Sequence, residues 1–218
     1  MLHTRNKIKS IITDHLYQYP PAVPSDPTQA VTRYMELFGD IDALQNRKQP
    51  VLVAIEGSCC AGKSTLARLF QQIYGCPVIS MDDFFLPSQL RTAQRFSEPG
   101  GNIHYERFVQ EISEPLQQNI PFFYRAFDCS TMDYAPDLRF AAPGPITVIE
   151  GSYSLHPRLA IVYDYKIFMH ISAPLQQERI IKRNGVQAYQ SFVQKWIPLE
   201  NQYFETWDIR HCCDTVLG

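Results

Sequence analysis

The sequence of 218 residues predicts an α/β protein in which helices cover both faces of a parallel sheet. Three observations support this prediction. From Pro50 onwards, short β-rich segments alternate with helical stretches, several of these segments are apolar on both faces, and a glycine-rich loop follows the first of them. Strands that are apolar on both faces are typical of a parallel sheet that is covered on both sides. The length suits one such domain with a short extension.

Two helices are predicted before the first strand. The first spans residues 4–18, where apolar side chains recur at helical spacing until Tyr19-Pro20-Pro21 ends the pattern. A proline-rich linker follows. Asp26 then has the residue type of an N-cap, and Pro27 suits the first helical position of the second helix.

The second helix carries an apolar stripe, which consists of Val31, Tyr34, Met35 and Phe38. This stripe packs either against the sheet or against another subunit, and the sequence favours neither alternative, so a homo-oligomer is one open expectation. We therefore divide the chain into an N-terminal helical extension, residues 1–49, and a single domain at residues 50–218.

Strands and helices alternate through the rest of the chain. The predicted strands are VLVAI, PVISM, PITVIEG, YKIFMHI and, near the end, TVL. Helical patterns cover residues 63–74, 105–119, 174–184 and 186–206. Pro115 and Pro198 predict a bend or a break in two of these helices, because proline has no backbone N–H to donate.

Charge and composition narrow the choice of partners. Charged types make up 19% of the residues and the formal net charge is -2, so the chain has no overall basic field to attract nucleic acid or an anionic membrane. Small molecules are therefore the expected partners. Charges interrupt the N-terminal segment and no run of about 18 apolar residues occurs, which predicts a cytoplasmic protein.

The cysteines are expected to be reduced thiols. They occupy positions 59, 60, 76, 129, 212 and 213, without a C-x-x-C pair or the regular spacing of a secreted disulfide framework. Zinc binding by Cys212 and Cys213 near His211 is the less favoured alternative, because adjacent cysteines seldom reach one metal together.

The loop after the first strand predicts a nucleotide site. It matches G-x-x-x-x-G-K-[ST] with Gly57, Ser58, Cys59, Cys60, Ala61, Gly62, Lys63, Ser64 and Thr65, and a helical stretch follows it. Glycines let the backbone curl so that N–H groups face the phosphates at a helix N-terminus. In such a loop Lys63 reaches the β- and γ-phosphates and Ser64 offers its hydroxyl to Mg²⁺, while Thr65 packs or binds the α-phosphate.

Carboxylates follow the next two strands. Asp82 and Asp83 end the second strand and Glu150 ends the third, at the edge of a parallel sheet where ligands bind. A carboxylate beside the phosphates can accept a proton from an attacking hydroxyl and help to hold Mg²⁺. Glu150 has the position of a Walker-B-type acid, and Gly151 is expected to let the backbone pass close to the substrate.

A basic helix after the fourth strand predicts a lid. Arg179 and Arg183 are four residues apart, so one helical face can present two guanidinium groups to the phosphates in the transition state. The alternative for such residues is a solvated basic face, which is favoured for Lys182.

The segments GSCCAGKST, ISMDDFFLP, GGNIHYERF, RAFDCS, VIEGSYSLH and QERIIKRNG together resemble the uridine kinase and phosphoribulokinase family of P-loop kinases. The resemblance covers residues 50–218, and DDFFLP followed by IEG is similar to nicotinamide riboside kinases. It implies a P-loop NTPase fold with a five-stranded parallel sheet, Mg-ATP as the phosphate donor, and Asp82 as the base. It also implies that Glu150 lies at the metal site and that the helix with Arg179 and Arg183 is the lid.

The same resemblance suggests acceptor contacts. His104 stands near the position at which these kinases have an aspartate that binds the ribose diol, so we expect weaker affinity for uridine itself. The other expected contacts are Asp83, Phe84, Tyr105, Arg125, Asp128 and Tyr134. Trp196, Glu200 and Tyr203 share one helical face that either walls the acceptor pocket or packs in the core.

These observations predict a kinase that transfers the γ-phosphate of Mg-ATP to a hydroxyl of a small metabolite, most simply a nucleoside or nucleoside-like compound. The alternatives are a regulatory P-loop ATPase that acts on a macromolecular partner and a non-catalytic binding module. Asp82 and the paired arginines favour the kinase, because a switch or motor needs no hydroxyl-activating carboxylate.

Overall fold

A computed structural model describes residues 2–21 and 26–218 of the chain, so part of the predicted proline-rich linker lies outside the described residues. The strands are β1 (Val51–Gly57), β2 (Val78–Ser80), β3 (Phe122–Asp128), β4 (Asp133–Ala141), β5 (Ile146–Glu150), β6 (Tyr165–Met169) and β7 (Thr215–Leu217). The α-helices are α1 (Leu2–Gln18), α2 (Pro27–Gln45), α3 (Lys63–Tyr74), α4 (Ala93–Ser97), α5 (Tyr105–Phe108), α6 (Glu114–Gln118), α7 (Ala173–Asn184), α8 (Val186–Ser191) and α9 (Ile197–Thr206). None of these helices has both the length and the apolar composition needed to span a membrane.

The main sheet has five parallel strands in the order β2-β5-β1-β6-β7, which confirms the predicted α/β class and the five predicted strands. The chain crosses from β1 to β2 and β5 on one side and to β6 and β7 on the other. The strand order therefore reverses at β1, where open parallel sheets bind ligands beyond the carboxyl ends of the strands. In register, Glu150 lies opposite Ile55 and Ser80, so β2 and β5 end side by side and β1 ends two residues further on.

The N-terminal extension packs against the chain's own domain, and its helices share one core with α3 and one face of the sheet. The ring of Phe38 lies 4.9 Å from that of Phe70 on α3. Asp26 caps α2 by accepting a hydrogen bond from the Thr28 N–H at 3.0 Å, with Pro27 in the first turn, as predicted. Of the two alternatives for the stripe on α2, packing inside the same chain is thus observed.

A two-stranded antiparallel hairpin, β3-β4, packs with α5 and α9 on the other face of the main sheet. The sequence patterns do not predict it. Phe122 and Tyr124 are buried, whereas Phe123 and Arg125 between them are exposed. Because the exposed face also carries an aromatic residue, the alternation of apolar and polar types that indicates a half-buried strand is lost.

Both predicted helix interruptions are present as π-helical turns. One covers Val109–Ser113 just before Pro115, and the other covers Phe192–Trp196 just before Pro198. A proline ring clashes with the carbonyl four residues earlier in a regular helix, and the wider π turn displaces that carbonyl. The prolines therefore mark where these two helices change geometry.

All six cysteines are free thiols. The thiols of Cys212 and Cys213 both donate to the carbonyl of Ile209, at 3.1 and 3.2 Å. Among the described residues, no group of three or more histidine, cysteine, aspartate or glutamate side chains is arranged to hold a metal ion.

Candidate active site

The phosphate loop connects β1 to α3 at the point where the strand order reverses. Gly57 has φ +136°, and a Cβ there would lie 2.1 Å from the carbonyl oxygen of Met169, so only glycine lets the loop pass β6. Gly62 has φ +107° at the N-terminus of α3. The buried Lys63 ammonium donates to the carbonyls of Gly57 at 2.7 Å and Ser58 at 2.9 Å. The lysine is thus held within the loop.

Glu150 gathers two hydroxyl groups beside this loop. The Ser64 hydroxyl lies 3.1 and 3.2 Å from the two carboxylate oxygens, and the Ser80 hydroxyl donates to one of them at 2.9 Å. Burial, with the neighbouring Asp82 carboxylate, raises the pKa of Glu150, whereas Lys63 lowers it. These oxygen donors fit Mg²⁺, which binds through one or two carboxylates together with phosphate oxygens and water. Ser64 and Glu150 are therefore residues that would hold the ion, and Asp82, the third ligand expected from the sequence, lines the same cleft.

A cleft of about 850 Å³ opens over the phosphate loop. Loop residues Cys59–Thr65 form its floor. Lysine and arginine outnumber acidic side chains in its lining, with Lys63, Arg68, Arg91, Arg179, Lys182 and Arg183 against Asp82, Glu150 and Glu200. The chain as a whole has a net charge of -2, so this excess of positive charge is local and suits an anionic ligand.

The two carboxylates after β2 have different environments. Asp82 is exposed and lines the cleft, as predicted for an acceptor-side carboxylate. Asp83 is buried and forms a salt bridge of 2.5 Å with Arg139 of the hairpin, and burial raises its pKa. Phe84 is fully buried in the core, which corrects its expected contact with the acceptor. Phe85, one residue later, lines the cleft in its place.

The predicted contacts at residues 104 and 105 also lie outside the cleft. The ring of His104 is hydrogen-bonded through Nδ1 to the Tyr134 hydroxyl at 2.5 Å, and burial lowers its pKa. Tyr105 is buried and donates to Glu98 at 3.1 Å. Asn102, from the same segment, does line the cleft. His104 thus has a partner in the fold that competes with any ribose contact.

Two further predicted contacts, Arg125 and Asp128 on the β3-β4 hairpin, also lie outside the cleft. Arg125 is exposed on β3, and Asp128 accepts hydrogen bonds from the backbone and hydroxyl of Ser130 within its own turn. Neither side chain lines the cleft, whereas Cys129 and Met132 from this turn do. The family resemblance therefore identified the segments that border the acceptor side of the cleft. Within these segments, residues other than the predicted ones face the cleft.

The helix α9 and the turn before it contribute two of the three predicted contacts, whereas the third, Tyr203, is buried in the core. Trp196 and Glu200 line the cleft, and Glu200 accepts from the backbone N–H of Cys59 at 3.0 Å. The hydroxyl of Ser152 donates to Glu200 at 2.7 Å, and Lys63 donates to that hydroxyl at 3.1 Å. Ser152 was not singled out from the sequence, although it follows Glu150-Gly151 directly.

Glu56, at the end of β1, was also missed. Its side chain has no solvent exposure, and burial raises its pKa to about 7. The backbone N–H groups of Gly57, Tyr153 and Leu155 and the Tyr203 hydroxyl donate to the carboxylate at 2.9 to 3.1 Å, and the Ser154 hydroxyl donates at 3.4 Å. Glu56 therefore connects the start of the phosphate loop to the loop after β5 and to α9 by hydrogen bonds. We regard it as a residue that positions the phosphate loop.

The Glu56 carboxyl predicts a pH-dependent stability. The folded protein keeps a proton that the unfolded chain, with an ordinary pKa of 4.5, releases. The stability that this proton contributes is greatest below the unfolded pKa and is lost as the pH rises through the folded pKa, although Lys63 opposes the shift. A pKa difference of this size corresponds to roughly 3 kcal/mol.

Glu56→Gln has a neutral side chain at every pH. We expect the free energy of unfolding of the wild type to fall relative to that of Glu56→Gln between pH 4.5 and pH 8, as measured by urea unfolding with circular dichroism. Hydrogen bonds lost in the variant lower its free energy of unfolding by the same amount at every pH. They therefore do not change the difference in pH dependence between the two proteins. Parallel pH profiles would contradict the expectation.

The predicted lid helix is α7, and its paired arginines both line the cleft. Arg179 donates to the carbonyl of Cys60 at 3.1 Å and to that of Pro20 at 3.0 Å. Arg183 donates to the Asn184 side chain at 2.7 Å. Arg179 is thus engaged with the phosphate loop and with the N-terminal extension, and the role of both arginines towards phosphate stays a prediction.

No family model matches the chain, and no curated protein matches its sequence. Among solved structures, a possible uridine kinase from Bacillus stearothermophilus matches with a TM-score of 0.62 and 18% identity, over 84% of this chain and 100% of the other. A candidate fructose transport system kinase from Silicibacter sp. TM1040 matches with a TM-score of 0.62 and 22% identity, over 82% of this chain and 95% of the other. Identities this low establish the fold alone, and at that level the predicted resemblance is confirmed: the chain has the P-loop kinase fold.

Proposed function

We propose that this protein is a small-molecule kinase, which transfers the γ-phosphate of Mg-ATP to a hydroxyl group of a small polar metabolite. One observation carries the proposal: the exposed Asp82 carboxylate and the phosphate loop line the same cleft. A nucleotide site alone would serve a switch or a motor equally well. A carboxylate beside the phosphates gives the site a group that can activate a hydroxyl.

Each part of the reaction has a residue that suits it. The loop N–H groups and Lys63 bind the phosphates, and Ser64 and Glu150 would hold Mg²⁺, which neutralises charge on the β- and γ-phosphates. Asp82 accepts the proton of the acceptor hydroxyl. The hydroxyl oxygen forms a bond to the γ-phosphorus while the bond from that phosphorus to the β,γ-bridging oxygen breaks, and ADP leaves.

The acceptor is proposed to carry a primary hydroxyl, because an unhindered CH₂OH reaches an in-line position beside Asp82 more readily than a crowded secondary alcohol. Phe85 and Trp196 line the cleft and offer flat apolar surfaces. Such surfaces suit the ring of a nucleoside-like compound. His104 is committed to Tyr134 in the fold, which supports the expectation that uridine binds weakly.

An acceptor panel tests the proposal. Uridine, cytidine, nicotinamide riboside, pantothenate, sugars and vitamins with primary hydroxyls are each incubated with the protein and Mg-ATP, and ADP formation is followed. We expect slow ADP formation without acceptor and a large increase with one chemical class. If every hydroxyl compound fails while a protein or nucleic acid stimulates ATP hydrolysis, the regulatory ATPase replaces the kinase.

A further inference from the structure

The end of the N-terminal helix α1 reaches the nucleotide cleft. Ile12 and Leu16 of this helix are buried in the core that it shares with α2 and α3. Its last turn and the residues after it face the cleft instead, with His15, Gln18, Tyr19, Pro20 and Pro21 in the lining. We call residues 15–21 the α1 end. This segment lies outside the part of the chain that resembles the kinase family, so that resemblance assigns it no role.

Two arginines connect the α1 end to the phosphate loop. The guanidinium of Arg179 bridges the carbonyls of Pro20 and Cys60. The guanidinium carbon of Arg68 on α3 lies 5.5 Å from the centre of the Tyr19 ring. Arg68 also donates to the Thr65 hydroxyl at 3.4 Å, so a single side chain links Thr65 to Tyr19.

The sheet order determines which part of a nucleotide lies at the α1 end. Asp82 follows β2 on one side of β1, whereas Arg179 follows β6 on the other side. With the γ-phosphate beside Asp82 and the α-phosphate beside Thr65, the ribose and the base continue away from Asp82. They therefore extend towards Arg68 and Tyr19.

The Tyr19 ring has the properties of a stacking surface. It is 44% exposed at the edge of the cleft, with the Arg68 guanidinium over the ring and the centre of the His15 ring 5.2 Å from its own. Aromatic rings and arginine planes both stack on nucleobases without selecting a particular one. Tyr17, in the last turn of α1, is not placed in this way, because it is 90% exposed and does not line the cleft.

We propose that the α1 end forms a wall of the donor-nucleotide base site, in which Tyr19 stacks on the base and Arg68 bridges from the base to the α-phosphate. This inference rests on the proposed function, because it takes the donor to be a nucleoside triphosphate. The N-terminal extension is then part of the substrate site as well as of the core.

Direct binding measurements test this inference on the full chain. Titration calorimetry with Mg²⁺ compares wild type, Tyr19→Ala, Tyr19→Phe and Tyr17→Ala, using ATP and inorganic tripolyphosphate, which has phosphates but no base. Tyr19→Ala is expected to raise the Kd for ATP by about 5- to 150-fold, the range for loss of one base–aromatic stack, and to leave the Kd for tripolyphosphate unchanged. Tyr19→Phe keeps the ring and the affinity, and Tyr17→Ala is the matched control two residues earlier, at a tyrosine outside the cleft.

The outcomes separate this inference from the proposed function. An unchanged Kd for ATP in Tyr19→Ala overturns the base site and leaves the kinase standing. Equal weakening for ATP and tripolyphosphate also overturns it, because Tyr19 would then act through the shape of the phosphate loop. If the wild type binds neither ligand, the proposed function fails, and the base site fails with it.

Discussion

Asp82→Asn is expected to lower acceptor-dependent turnover by about 10²–10⁴-fold, the usual contribution of a general base. The asparagine amide keeps the size of the side chain but cannot accept the hydroxyl proton. Because Asp82 is exposed in the cleft, the change leaves no buried group without a partner, so the fold is retained. Steady-state ADP release with a saturating acceptor measures the effect.

Asp83→Asn is the matched control, since it changes the adjacent residue in the same way. Asp83 is buried and paired with Arg139, so this variant is expected to lose stability while its turnover stays far above that of Asp82→Asn. The Arg139 side chain is 54% exposed, so the expected loss is that of one charge-assisted hydrogen bond and not of a fully buried ion pair. Wild-type turnover in Asp82→Asn would assign the base to another carboxylate.

Lys63→Ala is expected to lower kcat/KM for ATP by about 10²–10³-fold, as for removal of one preorganised donor at a site of developing negative charge. The ammonium is only 8% exposed and is held by the carbonyls of Gly57 and Ser58. It is thus positioned before any phosphate binds. ADP release in the presence of the acceptor is the measurement, with circular dichroism to show that the variant folds.

Lys48→Ala serves as the control for Lys63→Ala. Lys48 has the same charge but lies outside the cleft, where its exposed side chain forms a salt bridge with Asp164. Its removal is expected to leave kcat/KM unchanged. Equal losses in the two variants would mean that net charge, and not the contact in the phosphate loop, determines the rate.

The sheet and the phosphate loop were predictable because each has a strong local signal. The parallel strands are continuous apolar runs, and the loop motif stands between a strand and a helix. The β3-β4 hairpin was not predictable, because Phe123 and Phe140 lie on its exposed face. They obscure the alternation of apolar and polar residues that indicates a half-buried strand. Exposed aromatic residues make such a segment indistinguishable from a buried one by sequence pattern alone.

The sequence predicted which segments surround the candidate site, but not which side chains of these segments face the cleft. Adjacent residues such as Asp82 and Asp83 point in different directions, and only packing decides which of them faces the cleft. Gly151 illustrates a second limit. It lines the cleft, where it was expected to let the backbone pass close to substrate, and a Cβ there would also lie 2.7 Å from the Cβ of Met81. This close packing of two loops is a second reason for the glycine that the sequence alone did not indicate.

The buried carboxylates illustrate a third limit. Because an unpaired charge is costly to bury, we expect a buried glutamate to have a functional role. Glu150 at the candidate metal site fits that expectation. Glu56 is buried more completely, and it accepts hydrogen bonds from the adjacent Gly57 and from residues 153–155 and Tyr203, which are distant in the sequence. Such long-range hydrogen bonds depend on the tertiary fold and leave no local sequence pattern.

The proposal that the γ-phosphate is transferred to a hydroxyl group is tested most directly by identifying the product that contains this phosphate. Phosphorus NMR follows Mg-ATP in the presence of the protein and the best acceptor of the panel. The account predicts a new phosphomonoester resonance that grows in step with ADP, with little inorganic phosphate, and that is nearly absent with Asp82→Asn. Inorganic phosphate equal to the ADP formed, with no phosphorylated acceptor, would contradict it.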